Sequence, residues 1–173
     1  MNMSKVKHDT IRIIGIICLI VFDQFTKYCA VQKLKGNAPF VVIDNVFELN
    51  YLENRGAAFG FLEGKKYILI IFGLVIVFLI SYFYTKIPGG KKFHYMRTVI
   101  IFMIAGAIGN LIDRFRLDYV IDFFYFKLIN FAIFNVADIY ITCSAVILAL
   151  LVFFYYKEED FEQLFPEKGK KRG

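Results

Sequence analysis

Four apolar runs, separated by polar breaks, frame the chain. The second is the cleanest, since Tyr67 to Tyr84 carries no charge over 18 residues, close to the ~20 needed to cross a ~30 Å hydrocarbon core. The third, Tyr95 to Ile112, contains Ala105, Gly106, Ala107 and Gly109, small residues that let helices approach closely in lipid. The fourth runs from Ile139 to Tyr156. Pro88-Gly89-Gly90 leaves only a short turn between the second and third runs, which predicts an antiparallel pair. The first run, Ile11 to Val31, begins like a signal peptide, with Lys5, Lys7 and Arg12 ahead of Ile13 to Phe22, but no A-x-A-like cleavage site follows. It continues through Asp23-Gln24-Phe25-Thr26-Lys27 into Tyr28-Cys29-Ala30-Val31, which predicts a retained helix with a polar cluster near its outer end.

Between the runs lie two longer segments, 32–66 and 113–138. In the first, Val46 to Glu53 alternates Phe47, Leu49 and Tyr51 with Glu48 and Asn50, the period of a half-buried strand. The second is crowded with aromatics, among them Phe115, Tyr119, Phe123, Phe124, Phe126 and Phe131, a belt expected at headgroup level. The predicted architecture is an all-α membrane protein of four transmembrane helices, spanning about 11–31, 67–84, 95–112 and 139–156. A small extracytoplasmic β-sheet segment completes it. Residues 1–173 form one integral-membrane domain, and the basic tail over 157–173 is expected to end in disorder from Lys168 to Gly173.

Composition sharpens this reading, because 58% of the 173 residues are hydrophobic, against about 45–50% in an ordinary soluble domain. The excess is aromatic and aliphatic, with 21 Phe, 11 Tyr and no Trp, and the mean hydropathy is +0.57. The net charge of +6 sits in short flanks around the apolar runs, where anionic headgroups explain it better than nucleic acid does. Residues 1–12, 85–97 and 157–173 together hold twelve Lys and Arg, and the longer remainder holds nine. That bias predicts cytoplasmic termini and two segments on the outer face. Cys18, Cys29 and Cys143 have no metal or disulfide spacing and read as small buried hydrophobes.

Polar residues at helical spacing beside these runs are the candidate chemistry. Asp23 and Lys27 are four apart and share a face, which an interfacial ion pair would explain. Asn54-Arg55-Gly56-Ala57-Ala58-Phe59-Gly60 is a polar head followed by small residues, either a turn or a place where backbone approaches a ligand. Asn110, Asp113 and Arg114 point one way at the end of the third run, and an Asp113–Arg114 ion pair is the structural account of that face. Asp122 lies between Ile121 and Phe123, where a carboxylate must be paired, desolvated or catalytic. Asn135 suits an N-cap, and Asp138 falls in the first turn of the fourth helix, where capping alone would account for both.

Taken in order, Asp23-Gln24-Phe25-Thr26-Lys27, Asn54-Arg55-Gly56-Ala57-Ala58-Phe59, Gly109-Asn110-Leu111-Ile112-Asp113-Arg114, Val120-Ile121-Asp122-Phe123 and Phe134-Asn135-Val136-Ala137-Asp138 resemble the motifs of the lipoprotein signal peptidase family, signal peptidase II. Departures are small: Ala105 stands where a second glycine is frequent, and Arg55 occupies a variable position. The resemblance implies a bacterial inner-membrane aspartic endopeptidase that cuts prolipoproteins before their diacylglyceryl cysteine, with Asp122 and Asp138 as the catalytic carboxylates. It implies a substrate site formed by Asp23, Asn54, Gly56, Asn110, Arg114 and Asn135, and structural roles for Lys27, Asp113 and Ala137. The expected partners are lipid-modified prolipoprotein signal peptides and membrane lipid, the expected state is a monomer with its active site near the outer face, and no metal or cofactor is needed.

Two carboxylates sharing a site cannot both ionise cheaply, so such a pair can act as base and acid. Desolvation of Asp122 and the helix N-terminus beneath Asp138 predict that Asp138 is the base and Asp122 carries the shared proton. Asp113 is the rival second acid. A small transporter would want acids near mid-bilayer and repeat symmetry, whereas here the acids cluster at helix ends and the halves differ. A scaffold without chemistry leaves the five motifs unexplained, and the presenilin-like proteases would want a G-x-G-D run that this chain lacks.

Overall fold

In the computed structural model, residues 3–56 and 64–165 are described, with side chains from Thr10 onward. The expectations for Ala57 to Gly60 and for the basic tail beyond Lys168 lie outside the described residues. The elements run α1 (Met3–Leu34), β1 (Phe40–Ile43), β2 (Phe47–Asn54), α2 (Lys66–Lys86), α3 (His94–Leu117), β3 (Val120–Tyr125), a 3-10 turn at Lys127–Ile129, α4 (Val136–Leu150) and α5 (Glu158–Leu164). A π-helical turn, Leu151–Tyr155, extends α4. Four of the helices are long and apolar enough to cross a membrane: Thr10–Leu34, Lys66–Lys86, His94–Leu117 and Val136–Tyr155.

The central helix is α3, which packs against α1, α2 and α4. Half of its spanning stretch is buried, against 11–17% for the other three, so the remaining apolar surface faces outward, as lipid contact requires. Two glycines permit this packing. A Cβ on Gly106 would stand 2.5 Å from the Ala137 carbonyl oxygen of α4, and one on Gly109 would stand 2.6 Å from Asp23 Oδ2 of α1. Close approach at these two points brings polar groups of three helices within bonding range.

At one end of the bundle the strands form an antiparallel sheet in the order β1-β2-β3. Leu52 faces Asp122 and Glu53 faces Ile121 across the β2–β3 ladder, whose register shifts between Leu49 and Leu52. Asp118 ends α3 in the left-handed region at φ 72° and turns the chain back into β3. A salt bridge from Lys66 at the start of α2 holds this turn. On the far edge of β3, Phe134 pairs with Phe124 and so leads the chain directly into α4. The Lys35 ammonium at the end of α1 reaches Glu53 of β2 at 2.9 Å and holds that carboxyl well below its usual range, at about 2.

The predicted element over Val46 to Glu53 is present as β2, displaced by one residue. Next to the polar cluster, two helix boundaries and one strand differ from the sequence expectation. The third helix continues past Ile112 to Leu117, so Asp113 and Arg114 lie inside it rather than beyond it. The fourth starts at Val136, three residues before Ile139, because Asn135 caps it. The stretch read as an aromatic belt contains β3, whose first four residues are all buried. With both faces covered, β3 shows no alternation by which a strand could be read.

The opposite end of the bundle is closed by α5. Phe93, Met96, Ile100, Tyr156 and Leu164 form its core, with the rings of Phe93 and Tyr156 stacked at 5.5 Å.

Candidate active site

The site begins with a buried ion cluster beneath the sheet. Lys27 Nζ lies 3.0 Å from Asp23 Oδ2 and 2.9 Å from Asp113 Oδ2, and all three side chains are at most 2% exposed. Removing Lys27 from such a cluster leaves buried carboxylates uncompensated, at a cost of about 3–5 kcal/mol. The partner of Asp113 is therefore Lys27, not its neighbour Arg114 as the helix spacing suggested. Two residues on one helix face need not meet each other when a third helix supplies a better-placed charge.

Each acid of the cluster also holds backbone. Asp23 Oδ1 accepts the amide of Ala137 at 3.0 Å, one residue before Asp138. Asp113 Oδ2 accepts the amide of Ile121 at 3.2 Å, one residue before Asp122. Lys27 thus sits at the junction of two struts, one ending beside each candidate catalytic acid. Gln24, to which the sequence assigned no role, donates to Asp113 Oδ1 at 2.9 Å, to Asp23 Oδ2 at 3.2 Å and to the Gly109 carbonyl at 3.2 Å. Its place inside the Asp23-to-Lys27 motif was the available signal.

Above the cluster two amides connect the acids. Asn135 Oδ1 accepts the Asp138 backbone N–H at 3.0 Å, while Asp138 Oδ2 accepts the Asn135 N–H at 3.1 Å, a reciprocal capping box. With its oxygen so engaged, the Asn135 amide turns its nitrogen to Asp122 Oδ1 at 2.6 Å and to Asn110 Oδ1 at 3.1 Å. Asn110 in turn donates to Asp138 Oδ1 at 2.8 Å. Asn54, at the end of β2, donates to Asp122 Oδ2 at 2.8 Å and accepts the Gly56 N–H at 3.0 Å. Arg114 Nη2 reaches the Gly56 carbonyl at 3.1 Å, which holds this part of the loop over the site.

These groups border a cavity of about 420 Å³. Its polar wall is Asn54, Asn110, Arg114, Asp122 and Asp138; its apolar wall includes Val120, Phe131, Ile133, Phe134 and Ile139. Ala132, Thr142 and Cys143 also line it; Thr142 lies four residues beyond Asp138, so helical spacing from that acid would have found it. Gly56 lines an adjoining hollow with Asn50, Glu53 and Arg55, which shares the wall from Phe131 to Ile133.

Of the residues expected to touch substrate, Asp23 and Asn135 are both fully buried and absent from the cavity wall. They reach the cavity only through the backbone and side chains they hold. Ala137 is also fully buried, and its N–H is the anchor for Asp23.

Asp122 is 1% exposed. Burial first, then the nearby Asp138 carboxylate, push its pKa up to about 7, while the Asn54 and Asn135 hydrogen bonds and the Lys27 charge pull it down. A carboxyl in this state holds a proton near neutrality beside a second acid. That pairing can exchange protons with a water and a carbonyl.

The family model for signal peptidase (SPase) II matches residues 15–154. A lipoprotein signal peptidase of Caldanaerobacter subterraneus subsp. tengcongensis is 44% identical over 142 residues, 82% of this chain and 95% of that protein. One from Clostridioides difficile is 42% identical over 144 residues, 83% of this chain and 95% of the relative. A solved bacterial membrane enzyme, determined in meso at 2.3 Å resolution, superposes with a TM-score of 0.72 at 30% identity, covering 95% of both chains.

Proposed function

Because the chain belongs to the signal peptidase II family, we propose that it is an aspartic endopeptidase of the bacterial cytoplasmic membrane. It removes the signal peptides of diacylglyceryl-modified prolipoproteins by cutting before the lipidated cysteine. The observation that carries the catalytic assignment is the arrangement of Asp122 and Asp138: a buried and a half-buried acid from different elements, joined through Asn135, facing one cavity.

In this reading Asp138 is the base. Both its oxygens already accept N–H groups, from Asn110 and the Asn135 backbone, at the positive end of α4. It takes a proton from water as the water attacks the scissile carbonyl. Asp122, protonated near neutrality, gives its proton to the carbonyl oxygen and so avoids a free oxyanion. As the tetrahedral intermediate collapses, Asp138 returns its proton to the departing amine and Asp122 recovers one from the intermediate's hydroxyl. Asn54, Asn110 and Arg114 offer donors along the polar wall for the peptide, and the apolar wall suits the acyl chains of the lipidated residue.

Asp113 is set aside as second catalytic acid because it is bound to Lys27, Gln24 and the Ile121 amide and, unlike Asp122 and Asp138, is no part of the cavity wall. The sheet end then lies at the outer face of the membrane with both termini in the cytoplasm, and one copy carries the whole site. The test is gel mobility of a diacylglyceryl-modified prolipoprotein in vesicles. Wild type should convert it; Asp122→Asn and Asp138→Asn, folded and present at equal amounts, should not. Near wild-type turnover by either variant would overturn the dyad.

A further inference from the structure

An ammonium nitrogen carries three N–H groups directed tetrahedrally and no acceptor. Lys27 spends two on Asp23 and Asp113, and the third points to Asn110 Oδ1 at 2.9 Å. Asn110 could otherwise be turned either way, since its amide oxygen and nitrogen have the same shape. A reversed amide would set its NH2 against both the ammonium and the Asn135 NH2, three donors converging, and its oxygen against the Asp138 carboxylate. Lys27, as the charged donor, adds the largest repulsion to that state, beside the Asn135 NH2 and the Asp138 carboxylate, and so keeps the Asn110 nitrogen on Asp138 Oδ1.

We propose that Lys27 is a positioning residue for the catalytic pair: its third N–H fixes the orientation of the Asn110 amide, so the ammonium acts on the proton-transfer chemistry through Asn110 and not only on folding. This rests on the assignment of Asp122 and Asp138 as the dyad. The charged and titratable groups around this point are Asp23 and Lys27 on α1, Asp113 and Arg114 on α3, Asp122 on β3, and Asp138 and Tyr140 on α4.

Two charge-matched double variants of the full chain in lipid vesicles test this, Lys27→Gln with Asp113→Asn and Lys27→Met with Asp113→Asn. Each loses one positive and one negative charge, and the Asp113→Asn change keeps an acceptor for the Ile121 amide, but only the Lys27→Gln double retains an N–H for Asn110. With a diacylglyceryl-modified prolipoprotein as substrate, the methionine double should have kcat about tenfold below the glutamine double at similar KM. The acidic limb of its kcat/KM profile should move up by about one pH unit, while the glutamine double keeps the wild-type limb. Superimposable profiles from the two folded doubles would overturn the proposal.

Lys27→Arg tests the same point with the charge retained. A planar guanidinium serves carboxylates in a fork and cannot meet three acceptors disposed about a tetrahedral nitrogen. Its acidic limb should shift as in the methionine double, and a wild-type limb would overturn the proposal even if neither double folds. Asp122→Asn and Asp138→Asn run alongside: activity in either defeats the dyad, whereas inert dyad variants with unshifted Lys27 profiles defeat the role of Lys27 alone.

Discussion

Asn135 donates its side-chain amide to Asp122 Oδ1 at 2.6 Å, while the oxygen of that same amide caps the helix that carries Asp138. One residue therefore fixes the geometry of both acids. Asn135→Ala should lose the cap, at about 1 kcal/mol, and the donor to Asp122 as well. The expected result is a folded protein with a small fall in thermal midpoint and a much larger fall in kcat. Proportionate losses of both would reduce Asn135 to a cap.

The pH dependence follows from Asp122. Its pKa is raised to about 7, so the proton is held below that pH and lost above it. The alkaline limb of kcat/KM should fall near neutrality. Asn54 stabilises the ionised form through its 2.8 Å hydrogen bond, so Asn54→Ala should raise the pKa further and carry the alkaline limb upward. A titration of kcat/KM from acid to alkaline pH in both proteins checks the sign, and a downward shift would contradict it.

Gly106 and Gly109 set how closely the helices approach. Gly106→Ala puts a methyl group against the Ala137 backbone carbonyl, which cannot swing aside, and such overpacking costs about 1–3 kcal/mol. Gly109→Ala meets the Asp23 carboxylate and should weaken its hold on the Ala137 amide. Both should lower the thermal midpoint in detergent and reduce activity. Wild-type values for Gly106→Ala would mean that α3 and α4 sit farther apart than described.

Topology can be read by labelling. In a background lacking Cys18, Cys29 and Cys143, single cysteines at Ser4 and Gly90 should resist an impermeant thiol reagent applied to intact cells, because lysine and arginine concentrate on those sides. Labelling of both from outside would invert the orientation and place the dyad on the cytoplasmic face.

The four spans, the turn at Pro88-Gly89-Gly90, the strand around Phe47 to Glu53 and the cap at Asn135 all follow from local chemistry. Apolar run length, period-two alternation and a free helix N-terminus each need only neighbours in the sequence. The i,i+4 pair Asp23 and Lys27 was legible for the same reason. What the chain alone could not decide was which polar groups meet across elements. Asp113 finds Lys27 over a separation of 86 residues, Asp23 holds Ala137 from 114 residues away, and Asp122 gathers donors from Asn54 and Asn135. Those choices were made where α1 and α4 close against α3 at Gly106 and Gly109, because a buried polar group must be satisfied by whatever the packing brings within about 3 Å. The sequence determined the helices and the acids they carry; only the tertiary packing decided that Asp23 and Asp113 would hold backbone while Asp122 and Asp138 faced the cavity.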